Sequence, residues 1–261
     1  LIEKVQSKAP LSSEEEKAFK RVHARVESLC QQAYKADVKI FVDGEETWIQ
    51  DVIDAMALEF MRRFNQKKAI VYNTLQMYRK DGLKNLKELV EISKRENFVL
   101  GIKLVRGAYM EKEREWAAAR NLSSPILETK AEVDNAFDEA VKLCFESRSH
   151  VSICAGTHNQ RSTELLLKLM EKEQVPSTDQ TIYFAQLYGM SDHLTYNLAA
   201  QKYNVAKYVP YGPVRVMMPY LFRRASENSS IQGQTSRELS LLNQELERRA
   251  TSSHVPQSRG V

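Results

Sequence analysis

The sequence predicts an α/β fold, a (β/α)8 TIM-type barrel of which about six of the eight strands lie in this chain. Three observations predict it. Six short apolar runs alternate with stretches of helical period, at intervals of roughly 25 to 45 residues, the pattern of a parallel sheet built from right-handed βα units. The runs end in polar or aromatic residues, namely Asp43, Gln76, Tyr109, His158, Leu187 and Tyr208. Barrel enzymes keep their active sites at such strand ends. No GxGxxG follows the first strand, which argues against a doubly wound dinucleotide fold.

In chain order, residues 1–36 form a helical N-terminal segment, with Ser12 and Ser13 as hydroxyl caps ahead of Glu14 to Glu16. Ala18, Val22, Val26, Leu29 and Ala33 make its apolar stripe. Strand 38–42 carries Asp43 at its end, and Ile49, Val52, Ile53, Met56 and Phe60 mark helix 49–64. Strand 69–73 leads to Gln76, helix 82–95 follows, and strand 98–105 ends in Arg106-Gly107-Ala108-Tyr109. Residues 110–147 are helical with a loop near 121–125. Strand 151–155 ends in Gly156-Thr157-His158-Asn159, helix 160–173 precedes strand 181–186, and helix 191–202 leads to strand 205–209. Pro210, Gly212 and Pro213 stop that strand, a helix begins near Val214, and another covers 236–249. The barrel domain is expected over 37–249, with 250–261 a disordered tail. Eight strands close a barrel of this type and six are counted, while the chain starts inside a helical stretch. Two N-terminal βα units are therefore expected to be missing from this sequence.

At 261 residues, 28% charged and 43% hydrophobic, with a net charge of +4 and both signs interspersed, the composition is that of an ordinary globular protein. No basic patch is interleaved with aromatics, so nucleic acid is not an expected partner. No apolar run approaches the roughly 18 residues of a membrane span, which leaves peripheral membrane contact open. Cys30, Cys144 and Cys154 are odd in number and far apart, without CxxC or HxxxH spacing. A reducing compartment and no structural metal follow.

The chemistry is expected around 205–228. Tyr220, Arg223, Arg224 and Glu227 recur at spacings of three and four and crowd one side of a helix. Two adjacent guanidinium forks suit a carboxylate or phosphate. The bland alternative is an i,i+4 ion pair, Arg223 with Glu227, on a solvated face. Asp43 reads equally as a helix N-cap. Glu45 and Glu46 read as solvated first-turn residues. His158 reads as a capping or core histidine, and Gly107 as a tight turn or a close approach for a ligand. Met190, Met217 and Met218 read as packing, and Trp48 and Trp116 carry no assignable role. Together with Lys103 and the tyrosines, the set describes a pocket for a small apolar carboxylate beside a flat cofactor.

The segments K-L-V-R-G-A-Y (103–109), T-H-N (157–159), Q-L-Y-G-M (186–190) and Y-V-P-Y-G…M-P-Y-L-F-R-R-A-S-E-N resemble the FAD-dependent proline dehydrogenase family. V-D-G-E-E (42–46) and N-T-L-Q-M-Y (73–78) stand in the same order, so the similarity spans about 38 to 230. The resemblance implies a (β/α)8 barrel with its last helix over the mouth. It implies that Arg223 and Arg224 clamp the proline carboxylate, that Tyr109, Leu187, Tyr208 and Tyr220 enclose the ring, and that Asp43 and Lys103 belong to the catalytic network. Gln76, Val105, Arg106, Gly107, Ala108, Thr157, His158, Asn159 and Glu227 match the positions that hold FAD. Lys103 stands where many bacterial members carry arginine, Gly44 replaces the usual alanine, and the lysine of the family's second barrel strand has no counterpart here. A bulky Tyr208 favours proline over hydroxyproline. The implied reaction oxidises L-proline to pyrroline-5-carboxylate by hydride transfer to the flavin. Its electrons go on to a membrane quinone, at the matrix side of the mitochondrial inner membrane. Two readings compete: a barrel enzyme holding a phosphate on the arginine pair, which is colourless, and a barrel used only as a scaffold.

Overall fold

The computed structural model describes residues 1–230, 240 and 243–249, the side chains of 223–230 excepted. The chain forms two compact units, one of Leu1–Gln186 with Asp192–Lys207, the other of Leu187–Ser191 and the chain from Tyr208 onward.

The N-terminal stretch makes two helices, α1 (Ile2–Gln6) and α2 (Ser13–Ala36). Between them Lys8 sits at φ 55° and Pro10 has no N–H to donate, which ends one helix before the next begins. Ser12 caps α2 with a complete capping box, its hydroxyl accepting from the Glu15 N–H while the Glu15 carboxylate accepts from the Ser12 N–H. Strand β1 (Ile40–Val42) is shorter than the expected 38–42, because the Val38 N–H is spent on the Ala33 carbonyl closing α2.

Then follow α3 (Thr47–Phe64), β2 (Val71–Gln76), α4 (Gly82–Glu96), β3 (Leu100–Val105), α5 (Met110–Ala118), α6 (Lys130–Glu146) and β4 (Val151–Gly156). After these come α7 (Gln160–Lys172), β5 (Ile182–Leu187), α8 (Asp192–Ala200), β6 (Val205–Tyr208) and α9 (Val214–Ser230). Residues 243–249 are helical, within the expected helix 236–249; the rest of that expectation, apart from residue 240, and the tail 250–261 lie outside the described residues. Strand β2 begins two residues later than expected, because the buried Asn65 carboxamide takes the Ile70 and Val71 N–H groups at 2.9 Å each. The same side chain donates to the Val71 and Val99 carbonyls at 2.8 and 2.9 Å, so one residue fastens the starts of β2 and β3 together.

The six strands are parallel and lie in chain order, β1 to β6, as a curled half-barrel sheet. Register divides the side chains between two faces. Ile102, Ile153 and Ile182 pair across neighbouring strands on the outer face, Val71 lies on the same face of β2 two residues before Asn73, the partner of Ile102, and all four pack among Phe60, Leu86, Phe137 and Leu166 of the helices. Each such side chain, fully buried, contributes about 1.5–3 kcal/mol. Phe41, Tyr72, Lys103, Cys154 and Tyr183 occupy the inner face. Lys39, just before β1, lies with Nζ 4.7 Å from the Tyr183 ring centre on β5. In a flat sheet β1 and β5 would stand about 19 Å apart, so the contact measures the curl. Gly101 allows it: a Cβ there would lie 2.4 Å from the Val71 carbonyl and 3.0 Å from the Tyr72 ring.

Candidate active site

The inner face and the loops beyond the strand ends carry the candidate residues of the first unit. Lys103 points inward from β3 and donates to the Asp43 carboxylate at 2.6 Å, with its ammonium 5.6 Å from the Phe41 ring centre. Asp43 does not cap α3. That position belongs to Glu46, whose side chain makes no cap bond, and the first-turn Thr47 N–H and hydroxyl both go to the buried Glu113 at 2.7 and 2.6 Å.

Glu45 and Glu46 are not on a solvated first turn; they precede α3 and turn inward. The Glu45 carboxylate accepts from the Tyr109 hydroxyl at 2.8 Å, and its backbone carbonyl accepts from Gln76 Nε2 at 2.6 Å. Glu46 is 8% exposed and pairs with Lys112. Gln76, at the end of β2, also meets the Ala108 N–H at 3.4 Å, and Gly44 lies against its side chain, where a Cβ would be 3.1 Å away. Gln76 thus joins the loop after β1 to the loop after β3. In the latter, the Val105 and Arg106 carbonyls accept from the Met77 and Tyr78 N–H groups at 2.8 and 2.7 Å. Gly107 has φ +136°, and a Cβ would fall 2.5 Å from the Tyr78 ring, so both readings of this glycine reduce to one requirement: no side chain fits.

A second cluster gathers at the ends of β3 and β4. Arg106 donates through Nε to Asp134 at 2.6 Å, through Nη1 to the Thr157 hydroxyl at 2.7 Å and through Nη2 to the Ser162 hydroxyl at 2.9 Å. Its guanidinium lies 4.4 Å from the Phe137 ring centre. Ser162 donates onward to Asp138 at 2.6 Å. Burial works to raise the Asp134 carboxyl, but hydrogen bonds from Lys130 and Arg106 outweigh it and hold the group below the usual range. Asn159, not His158, caps α7, its side chain accepting from the Ser162 N–H at 3.2 Å. His158 is half-buried beside it.

In the second unit, the Tyr208 and Tyr220 rings meet tilted at 56° with 5.7 Å between ring centres, and the Tyr188 N–H donates to the Tyr208 carbonyl at 2.9 Å. Leu187 ends β5, and Gly212 at φ +154° precedes α9, which contains Pro219. Arg223, Arg224 and Glu227 lie on the helical backbone of α9, with side chains outside the described residues.

The proline dehydrogenase family model matches residues 1–237. The chain belongs to the proline dehydrogenase family. It is 38% identical over 241 residues to the mitochondrial proline dehydrogenase 1 of Homo sapiens, covering 91% of this chain and 40% of that protein. Against the mitochondrial proline dehydrogenase 1 of Arabidopsis thaliana it is 36% identical over 245 residues, covering 92% of this chain and 49% of that protein. The crystal structure of proline utilization A from Bdellovibrio bacteriovorus inactivated by N-propargylglycine shares its fold. There the TM-score is 0.76 at 24% identity, covering 83% of this chain and 22% of that one. The chain thus spans less than half the length of either curated relative.

Within this family member, sequence reasoning passed over several residues of the two clusters. Gln50, Asp54, Asp134, Asp138 and Ser162 were unremarkable in the chain; only the i,i+4 spacing of Gln50 with Asp54 and of Lys130 with Asp134 offered a signal. Trp48 and Trp116 stack at 4.8 Å with planes 14° apart, fixing α5 against α3. Cys30, Cys144 and Cys154 are free and buried, and burial pushes the last two thiols up to about 12.

Proposed function

We propose that the chain is the catalytic part of an enzyme oxidising L-proline to pyrroline-5-carboxylate with FAD, the first step of proline breakdown. The observation that carries the reading, beside family membership, is the Lys103–Asp43 pair on the inner face, its Asp43 in the same strand-end loop whose Glu45 binds Tyr109 and Gln76. The sheet is read as the larger part of a (β/α)8 barrel, on the likeness of its fold to proline utilization A.

The donor set suits a flavin dinucleotide. Gln76 and Lys103 offer an amide and a cation from neighbouring strands, and the buried Thr74 hydroxyl, on the residue paired with Lys103, has no hydrogen-bond partner among the described residues. Arg106, His158 and the first turn of α7 offer positive charge and backbone N–H groups of the kind that hold a diphosphate. Val105, Gly107, Ala108, Thr157 and Asn159 complete the proposed contacts. FAD, when bound, accepts the hydride leaving the ring carbon next to the proline nitrogen.

The protein's own contribution is placement and charge. Asp43 holds the Lys103 ammonium in register, and that cation stabilises negative charge developing nearby. Glu45 fixes the Tyr109 ring through its hydroxyl, so the ring can wall off water. Roles for Leu187, Tyr208, Tyr220, Arg223, Arg224 and Glu227 rest on the resemblance alone, the arginines as a clamp on the substrate carboxylate. A membrane quinone as electron acceptor, and peripheral docking at the mitochondrial inner membrane, belong to the same proposal. No helix among the described residues is long and apolar enough to cross a membrane.

The test is a visible spectrum of the purified chain with FAD, before and after anaerobic addition of L-proline. The reading expects flavin absorbance that bleaches with proline. A protein that takes up no flavin, or whose flavin stays oxidised, defeats it.

A further inference from the structure

The loop 43–46 carries Asp43 and Glu45, yet nothing in its own sequence explains how four residues between a three-residue strand and a helix hold one shape. The anchor comes from behind. Gln50, on the first turns of α3, accepts from the Glu45 N–H through Oε1 at 2.6 Å and donates from Nε2 to Asp54 Oδ1 at 2.7 Å. Asn73, on β2, donates to the same Asp54 oxygen at 2.7 Å. An ionised carboxylate only accepts, so Asp54 dictates which end of the Gln50 amide faces it and leaves the carbonyl end for Glu45. The chain of bonds continues from Glu45 to Gln76 and Tyr109.

We propose that Gln50 and Asp54 are positioning residues, which set the loop bearing Asp43 and Glu45 and through it the Tyr109 ring and the Gln76 amide. As a statement about catalysis this rests on the proline-oxidising reading above. Burial raises the Asp54 carboxyl above the usual range, and the hydrogen bonds from Asn73 and Gln50 offset that only in part. The other charged groups bearing on it are Arg79, which favours the ionised form, and Asp51, which opposes it. At neutral pH a buried carboxylate of this kind costs folding stability. A position shaped for stability alone is better served by a neutral side chain; a fixed acceptor is what the loop requires.

Two variants of the full chain separate positioning from folding. Gln50→Leu leaves the Glu45 N–H without its partner. Amide hydrogen exchange across 43–46 is expected to speed about tenfold, the worth of one lost hydrogen bond, while β2 to β4 keep their protection. Asp54→Asn is expected to melt no lower than the parent at neutral pH and yet to loosen the same four amides, since a carboxamide can present either end to Gln50. In both, affinity for FAD, read by flavin fluorescence, is expected to weaken by about tenfold. Unchanged exchange across 43–46 in Asp54→Asn overturns the proposal. So does uniform acceleration over the whole sheet in Gln50→Leu. Failure of the parent chain to bind FAD sinks the reaction assigned above, and the exchange result still decides whether the loop is set from Asp54.

Discussion

Asp54 and Asp134 both project from helices packed behind the sheet, and both are the far anchor of a cluster at the strand ends, but their electrostatics run in opposite directions. Asp54 is held by neutral amides, Gln50 and Asn73, and burial wins, raising its carboxyl. At Asp134 burial pulls the same way, yet two cations, Lys130 and Arg106, prevail and lower it. The clusters they anchor differ accordingly. Around Lys103, the pair with Asp43 is half open to solvent, the aspartate side chain 51% exposed, and the ammonium is a compact charge on a flexible stem. Around Arg106, a planar fork is engaged on three sides and stacked on an aromatic ring. The first arrangement leaves charge available to a ligand; the second fixes a rigid bed. One strand, β3, supplies both, because Lys103 lies on its inner face and Arg106 just past its end.

The contrast can be broken most violently at Gly107, which borders both clusters. Gly107→Val combines an unfavourable positive φ with a Cβ 2.5 Å from the Tyr78 ring, and is expected to cost on the order of 3 kcal/mol in urea denaturation. An unchanged midpoint would remove the claim that this loop admits no side chain. Next in size, Lys103→Met is expected to slow reduction of the flavin by L-proline about 100-fold while moving stability by less than about 1 kcal/mol, because the ion pair is solvated. Stopped-flow absorbance and a thermal melt read the two halves. Equal losses in both would put Lys103 with the rigid bed.

Asp134→Ala should do the reverse, costing about 1–2 kcal/mol of stability by freeing the Arg106 fork, with affinity for FAD falling in parallel. The smallest effect is a difference in sign with pH. A carboxyl lowered by folding stabilises above its unfolded value, near pH 3.9, and loses that as pH falls through the folded value. Asp134→Asn should therefore flatten the acid limb of the stability curve. A carboxyl raised by folding stabilises at low pH, and the contribution is lost as pH rises through the folded value, so Asp54→Asn should gain on the parent between about pH 4 and neutrality. Denaturant titrations across that range that show the same slope for both variants would erase the distinction drawn here.

Much of the sheet was legible from the chain. The apolar runs that became β1 to β6 sit where alternation placed them, and their ends brought Asp43, Gln76 and Tyr109 to one side because parallel strands point the same way. Boundaries slipped where a preceding residue claimed a backbone N–H, as the Asn65 side chain did at Ile70 and the end of α2 did at Val38. Glu45 was misjudged because an acidic pair before a helix is ordinarily a solvated first turn; a tyrosine 64 residues further on decided otherwise. Gln50 and Asp54 were invisible as anchors, since an i,i+4 polar pair on a helix says nothing about what lies in front of it.

What the sequence by itself determined is therefore periodic and local: which segments are strands and which are helices, the hydroxyl cap at Ser12, and the motifs that place the chain in its family. Tertiary structure alone decided the partners: Lys103 with Asp43 across 60 residues, Arg106 with Thr157 across 51, and Gln76 with Glu45 across 31. The physical reason is one of range. Backbone preference and hydrophobic period act over a few residues, whereas a buried charge or amide must be satisfied by whatever the curl of the sheet brings within about 3 Å.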